Sequence, residues 1–174
     1  SSENELNVVL DNGNAYRADV VIVSTGVKPN VGFLQDLDIN IDLGIEVDEF
    51  MQTSVADIYA AGDCAQGLDF STGETAVHAV QPTATEHGRV AATNMATNNA
   101  SPYKGSLNMN ILDTLGLVTS SFGVWEGVDG GDSAEIYNPD NYQYINLQFK
   151  DDVLIGANTV GYHEHLGVLR GLIE

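Results

Sequence analysis

This chain is short of cysteine, of basic residues and of long apolar runs, and each shortage removes a class of function. Cys64 is the one cysteine among 174 residues, so neither an internal disulfide nor a Cys-x-x-Cys redox pair is available within the chain. Six Lys and Arg stand against 25 Asp and Glu, for a formal net charge of −19. Phosphate backbones are held by clustered cations, so nucleic acid is excluded as a partner. No apolar run approaches the roughly 20 residues of a spanning helix, and no signal peptide is visible. Membrane insertion is therefore not expected, and a cytoplasmic location is. Nor is there a Gly-x-Gly-x-x-Gly turn, so these residues lack the usual backbone cradle for a dinucleotide pyrophosphate.

What is present centres on Thr53-Ser54-Val55-Ala56-Asp57-Ile58-Tyr59-Ala60-Ala61-Gly62-Asp63. The apolar run Ile58 to Ala61, bounded by Asp57 and Gly62, predicts a strand buried on both faces of a parallel sheet. Gly62 would let the backbone approach a ligand closely. Asp63, at the carboxyl end of that strand, can only accept hydrogen bonds, as from the hydroxyls of a sugar or polyol. A helix N-cap is the other reading of Asp63.

Gln81-Pro82-Thr83 opens a second informative stretch, for which a helix over 82–97 is predicted. Ala84, Gly88, Ala91, Ala92 and Met95 recur at three to four residues and predict a narrow, small-residue face against a sheet. Free amides at such a helix start stabilise negative charge on a ligand. An ordinary packed helix with a Pro start is the alternative.

Read together, Thr-Ser-x-x-Asp-Ile-Tyr-Ala-Ala-Gly-Asp-Cys (53–64) and Gln-Pro-Thr-Ala-x-x-x-Gly-Arg (81–89) resemble the second flavin-binding signature of the pyridine nucleotide-disulfide oxidoreductases. NADH oxidase, coenzyme A disulfide reductase, rubredoxin reductase and the flavin module of nitrite reductase are the relatives of that type. Ala18 to Asn30, with Thr25-Gly26-Val27-Lys28-Pro29-Asn30, resembles the strand and turn by which that family returns from the NAD(P) domain to the FAD domain. The resemblance implies an α/β chain: the carboxyl-terminal part of a two-dinucleotide-binding-domain flavoprotein, followed by a small α+β carboxyl-terminal domain. It implies residues 1–30 as the end of the NAD(P) domain and return strand, 31–101 as the end of the FAD domain, and 102–174 as an interface domain.

For the site, the resemblance assigns Gly62 and Asp63 to the ribityl chain of FAD and Gln81, Pro82 and Thr83 to the flavin edge. It names no catalytic residue. NAD(P)H would be co-substrate, and the electron acceptor, protein or small molecule, is not identified. The chain opens Ser1-Ser2-Glu3-Asn4 without Met, and we expect a fragment whose partners are the missing amino-terminal FAD and NAD(P) domains. A homodimer is also expected, with FAD weakly held or absent in the fragment alone. The alternative is a noncatalytic dimerisation or docking module carried by 102–174.

The remaining residues predict local structure. Asn7 to Arg17 reads as a hairpin about Asn12-Gly13; Val20 to Val23 as a buried strand; Val31 to Leu37 as a short helix; Ile45 to Asp48 as a strand; and 66–79 as a Gly-rich loop. A polar break at 97–102 marks a domain boundary. Leu115 to Gly123, Ser133 to Tyr137, Tyr142 to Phe149 and Val153 to Thr159 read as strands, and Glu164 to Ile173 as a helix. No metal site is expected, because His163 and His165 lack the i, i+4 spacing of a helical zinc pair. His78 and His87 flank the presumed flavin edge. His78 either hydrogen-bonds near the ring or is satisfied locally. Cys64 and Trp125 are read as packing.

The acidic surface yields a direct test. We expect the thermal midpoint to rise only modestly between about 0.1 and 1 M salt, as screening relieves self-repulsion. A chain that folds only near molar salt would instead carry a high-salt adaptation.

Overall fold

A computed structural model describes residues 6–162 and 164–174. The opening residues 1–5 and the reading made of His163 lie outside the described residues. The architecture is mixed α/β, with three sheets of two, three and five strands and two α-helices among the described residues.

β1 (Leu6–Val9) and β2 (Ala15–Ala18) form the expected antiparallel hairpin. Gly13 sits at φ +84°, and the Asn12 side chain accepts the Asn14 N–H at 3.0 Å, so the Asn-Gly turn closes as its chemistry dictates. The expected strand over 20–23 does not form. Val20 is 72% exposed and Ile22 87%, and no strand of the described chain pairs with them. A doubly buried strand needs neighbours on both edges, and sequence pattern alone does not supply them. The helix expected over 31–37 contracts to a 3-10 turn, Gly32–Leu34, with Leu34 alone buried.

Between 45 and 76 the structure corrects two expectations. Ile58 to Ala61 is extended but carries only an isolated bridge, Gln52 to Tyr59, and Ile58 is exposed. The strand lies after the Gly-Asp pair instead. Gly62–Cys64 is a 3-10 turn leading into β4 (Ala65–Leu68), which pairs parallel with β3 (Ile45–Glu46) and antiparallel with β5 (Thr75–Ala76). Asp63 therefore stands in a turn before a strand rather than at the end of one. The loop expected over 66–79 holds most of β4 and all of β5.

Gln66 explains why so Gly-rich a segment is ordered. Buried in β4, it accepts the N–H groups of Leu43 and Gly44 at 2.9 and 3.0 Å and donates to Asp42 and Thr75 at 3.1 and 3.2 Å. All of its amide capacity on that side goes to fixing the neighbouring loop. Beneath it, Leu34, Ile45, Ala60 and Ala65 form a small core on which Cys64 packs.

α1 (Gln81–Thr97) forms nearly as expected, with Gln81 first and Pro82 second. Its buried face is different. Gly88, Ala92 and Met95 are exposed, whereas Thr83, His87, Val90, Ala91 and Asn94 are buried. Small side chains offer little area to bury, and this helix instead turns inward the polar residues that find partners. Val90 and Ala91 pack with Met51 and Tyr103 in a second core. Asn94 is fully buried and ties the expected boundary segment down, donating to Phe50 and Ser101 carbonyls at 3.0 and 2.8 Å and accepting the Ser101 N–H at 2.8 Å.

The last part is a five-stranded antiparallel sheet in the order β6 (Met109–Thr114), β7 (Leu117–Gly123), β10 (Val153–Val160), β9 (Gln143–Lys150), β8 (Asp132–Asn138). The sequence reading missed β6. Five of its six residues are polar or exposed apolar ones on an edge, so the alternation is blurred. α2 (Leu166–Ile173) closes one face over Leu107, Phe122 and Ala157. Asp151 and Asp152, both left-handed at φ +50° and +63°, turn β9 into β10.

Replacing Asn94 with Ala removes three hydrogen bonds and strands two half-buried carbonyls. Unfolding in urea should register a loss of about 3 kcal/mol.

Candidate functional site

The Gly62–Cys64 turn packs on the first turns of α1. Gly62 is at φ +80°, and a Cβ built on it would stand 3.6 Å from the Ala84 Cβ. Its role is conformational as well as spatial, because a side chain there would be strained. Asp63 is exposed and opens onto a cleft of about 410 Å³ lined by Val27, Lys28, Pro29, Asn30, Asp63 and Cys64. The turn at 25–30 is thus brought to the carboxylate across more than thirty residues. A second cleft of about 420 Å³ shares Val27, Lys28 and Pro29 and reaches Val77 and Ala79, just before α1.

At the helix start, Val80 is extended and no side chain caps the helix. The first turn closes when the Ala84 N–H donates to the Val80 carbonyl at 3.0 Å. The Gln81 and Thr83 amides precede that bond, and Pro82 has no N–H to offer. Gln81 and Pro82 are exposed. Thr83 is buried and, with Pro82, lines a different, small cavity of about 30 Å³ shared with Tyr103 and Ser106. Gly62 and Asp63 therefore sit together with the 25–30 turn, while the side chains of Pro82 and Thr83 face elsewhere. The helix start thus presents outward the Gln81 side chain together with amides that no side chain caps.

Sequence reasoning missed a buried polar seam behind the helix. His78 donates from Nε2 to Asp69 Oδ2 at 3.2 Å, with both side chains 7% exposed. On α1, the fully buried His87 places Nε2 at 3.3 Å from Ser106 Oγ, and Tyr103 Oη lies 2.9 Å from the same oxygen. The His87 and Tyr103 rings meet edge to face at 5.0 Å. Backbone bonds align the two segments: Phe70 donates to Ser106 and Ser106 to Leu68, each at 2.9 Å. The Nε2 of His78 is thus satisfied locally, while its buried Nδ1 has no hydrogen-bond partner among the described residues. Asp69, Tyr103 and Ser106 carry no motif, and only the β4–β5 pairing brings Asp69 back to His78.

Electrostatics follow from burial. Burial alone would raise the Asp69 carboxyl, but hydrogen bonds from His78 and the Ser71 N–H, with the His78 charge, hold it below the ordinary value. His87 is pushed down, first by burial and then by the charge of His78. Tyr103 is raised by burial, against the Ser106 hydrogen bond.

Comparison with known proteins bears on the family and the fold. A family model described as pyridine nucleotide-disulphide oxidoreductase matches residues 1–83. The chain is 32% identical over 168 residues to the NADH-dependent phenylglyoxylate dehydrogenase subunit epsilon of Aromatoleum evansii, covering 95% of this chain and 40% of that protein. It is 39% identical over 100 residues to an NADH oxidase of Methanocaldococcus jannaschii, covering 57% of this chain and 22% of that one. A NAD-dependent persulfide reductase from A. fulgidus superimposes with a TM-score of 0.84 at 30% identity, over 99% of this chain and 36% of that structure. The chain thus spans well under half the length of these relatives.

The seam makes stability sensitive to acid. His87 titrates in the fold below its ordinary 6.5, so the unfolded chain takes up the proton first and stability declines as pH falls from there. Asp69, held below its ordinary 3.8, contributes above that value and loses its contribution as pH falls through the lowered one. Urea unfolding at a series of pH values should show stability falling as pH drops below the ordinary histidine value, with a slope that flattens in His87→Gln.

Proposed function

Because this chain belongs to the pyridine nucleotide-disulphide oxidoreductase family, we propose that it forms the part of an FAD-dependent NAD(P)H oxidoreductase that grips the ribityl chain and one edge of the flavin. The observation that carries this reading is the packing of the Gly62–Asp63 turn against Ala84 of α1, with the 25–30 turn on the same cleft.

These residues suit such a cofactor. An exposed carboxylate is an acceptor-only group for polyol hydroxyls. Gly62 keeps the approach clear of a side chain. The uncapped start of α1, which is 17 residues long, offers the Gln81 and Thr83 amides and the positive end of the helix dipole to a group that becomes more negative on reduction. When bound, FAD supplies hydride acceptance from the nicotinamide and onward electron transfer. The chain's own contribution is to hold, orient and electrostatically bias it.

In the same proposal, 1–30 ends the NAD(P) domain, 31–101 completes the FAD domain, 102–174 serves subunit contact in a homodimer, and the acceptor is a separate protein or small molecule. Catalysis requires the residues that complete the flavin site elsewhere in a longer protein, and the isolated chain is inactive with little bound FAD.

Asp63→Ala in that longer protein should lower FAD retention about tenfold, the equivalent of one lost charge-assisted bond of roughly 1.4 kcal/mol. Flavin absorbance after dialysis reads it. Unchanged flavin content would remove Asp63 from the site.

A further inference from the structure

A cleft of about 250 Å³ opens between the turn joining β4 to β5 and the turn that follows β7. Asp69, Ser71 and Thr72 line it from the first turn, Trp125 and Glu126 from the second, and Asn108 from the segment before β6. Backbone hydrogen bonds fix both walls. In the first turn, the Asp69 N–H donates to the Glu74 carbonyl at 2.7 Å and the Gly73 N–H to the Asp69 carbonyl at 2.9 Å. In the second, the Val124 N–H donates to the Ile155 carbonyl at 2.9 Å, the Gly127 N–H to the Val124 carbonyl at 3.0 Å, and Asn158 Nδ2 to the Trp125 carbonyl at 3.3 Å. Gly123, at φ +60°, admits that turn, since a Cβ there would stand 2.3 Å from the Ile155 oxygen. The cleft is thus formed before any ligand arrives.

Its chemistry has one sign. Two carboxylates line the cleft, and no Lys or Arg does. Asp69 is 5% exposed, and a charge so deeply set is screened less than one on the surface. Its Oδ1 accepts the Ser71 N–H at 2.7 Å and its Oδ2 accepts His78 Nε2 at 3.2 Å. Each carboxylate oxygen accepts two bonds, so each keeps one place open. Ser71 Oγ is buried without a hydrogen-bond partner among the described residues, a further acceptor that the chain itself leaves unused. Glu126 is exposed, and the net charge of −19 extends the same sign well beyond the cleft.

We propose that this cleft is a docking site for an arginine side chain on the surface of a basic partner protein. The site goes beyond the flavin reading and stands without it. A guanidinium has five donors and no acceptor, so it suits a wall of carboxylate, hydroxyl and amide oxygens, and its plane stacks on an indole such as Trp125. An ammonium is a point charge that uses fewer of these groups. An anion would be repelled, and among the described residues no cluster of metal ligands exists. A protein carries the cation, because the exposed Glu126 and the wider acidic surface attract a basic surface around the arginine, an attraction that a free cation of that size leaves unused.

The test is a titration of the longer protein, labelled with ¹⁵N-tryptophan, with a short lysine peptide carrying one central arginine. The Trp125 indole signal is assigned by its loss in Trp125→Phe. The peptide should shift that signal, and its citrulline counterpart, which keeps the shape and loses the charge, should bind about tenfold more weakly. N-acetylarginine amide should also bind roughly tenfold more weakly than the peptide, for want of the flanking charges. Glu126→Gln, a change at an exposed position, should weaken the peptide about threefold. An unmoved Trp125 signal, or equal binding of the citrulline peptide, overturns the site. Equal binding of N-acetylarginine amide overturns the protein partner in favour of a small free cation.

Discussion

The buried contact between His78 and Asp69 is the constraint on which the rest of this structure leans. It closes the β4–β5 hairpin onto the segment that leads into α1, at a place where both side chains are almost wholly removed from water. Losing one partner of such a pair leaves the other buried without compensation, at a cost of about 3–5 kcal/mol. Leu68 and Phe70, flanking Asp69, bond to Ser106 through the backbone, and Ser106 holds His87 on the helix. One buried hydrogen-bonded pair thereby fixes the entry to α1, the depth at which the helix sits and the path of the chain into the five-stranded sheet.

That arrangement lets the helix start remain free of side-chain caps. A helix of 17 residues whose first amides are uncapped is stabilised elsewhere, here by His87, Val90, Ala91 and Asn94 buried along its length. The polar interior of α1 thus leaves its start without a side-chain cap. Across the short span of the Gly62–Cys64 turn, Asp63 has no internal role that competes with an outside donor, while Cys64 turns inward to donate to the Ala61 carbonyl at 3.5 Å and pack on the small core.

The open apolar stretch at Val20 to Val23 and the share of the relatives that the chain spans, between 18% and 40%, bear on one another. A run of four β-branched residues has the composition of a doubly covered strand. The described residues provide no strand beside it. In the relatives it matches, the chain spans the smaller part of the length.

The sequence by itself determined whatever depends on short-range chemistry. Asn12-Gly13 specified its turn, Pro82 and the residues after it specified a helix, Lys150-Asp151-Asp152 specified a hairpin, and the Gly-Asp and Gln-Pro-Thr signatures specified the family. Neighbouring residues suffice for these, because φ preferences and hydrogen-bonding reach act within a few residues. Tertiary structure decided the rest. It placed Asp63 before a strand instead of after one, since β4 needed β3 as a parallel partner. It chose which face of α1 is buried, because His87 and Asn94 gain more from distant partners than alanines gain from area. It also assembled Asp69, His78, His87, Ser106 and Tyr103 from separate segments, and a buried polar group is satisfied only by what the fold brings within about 3 Å.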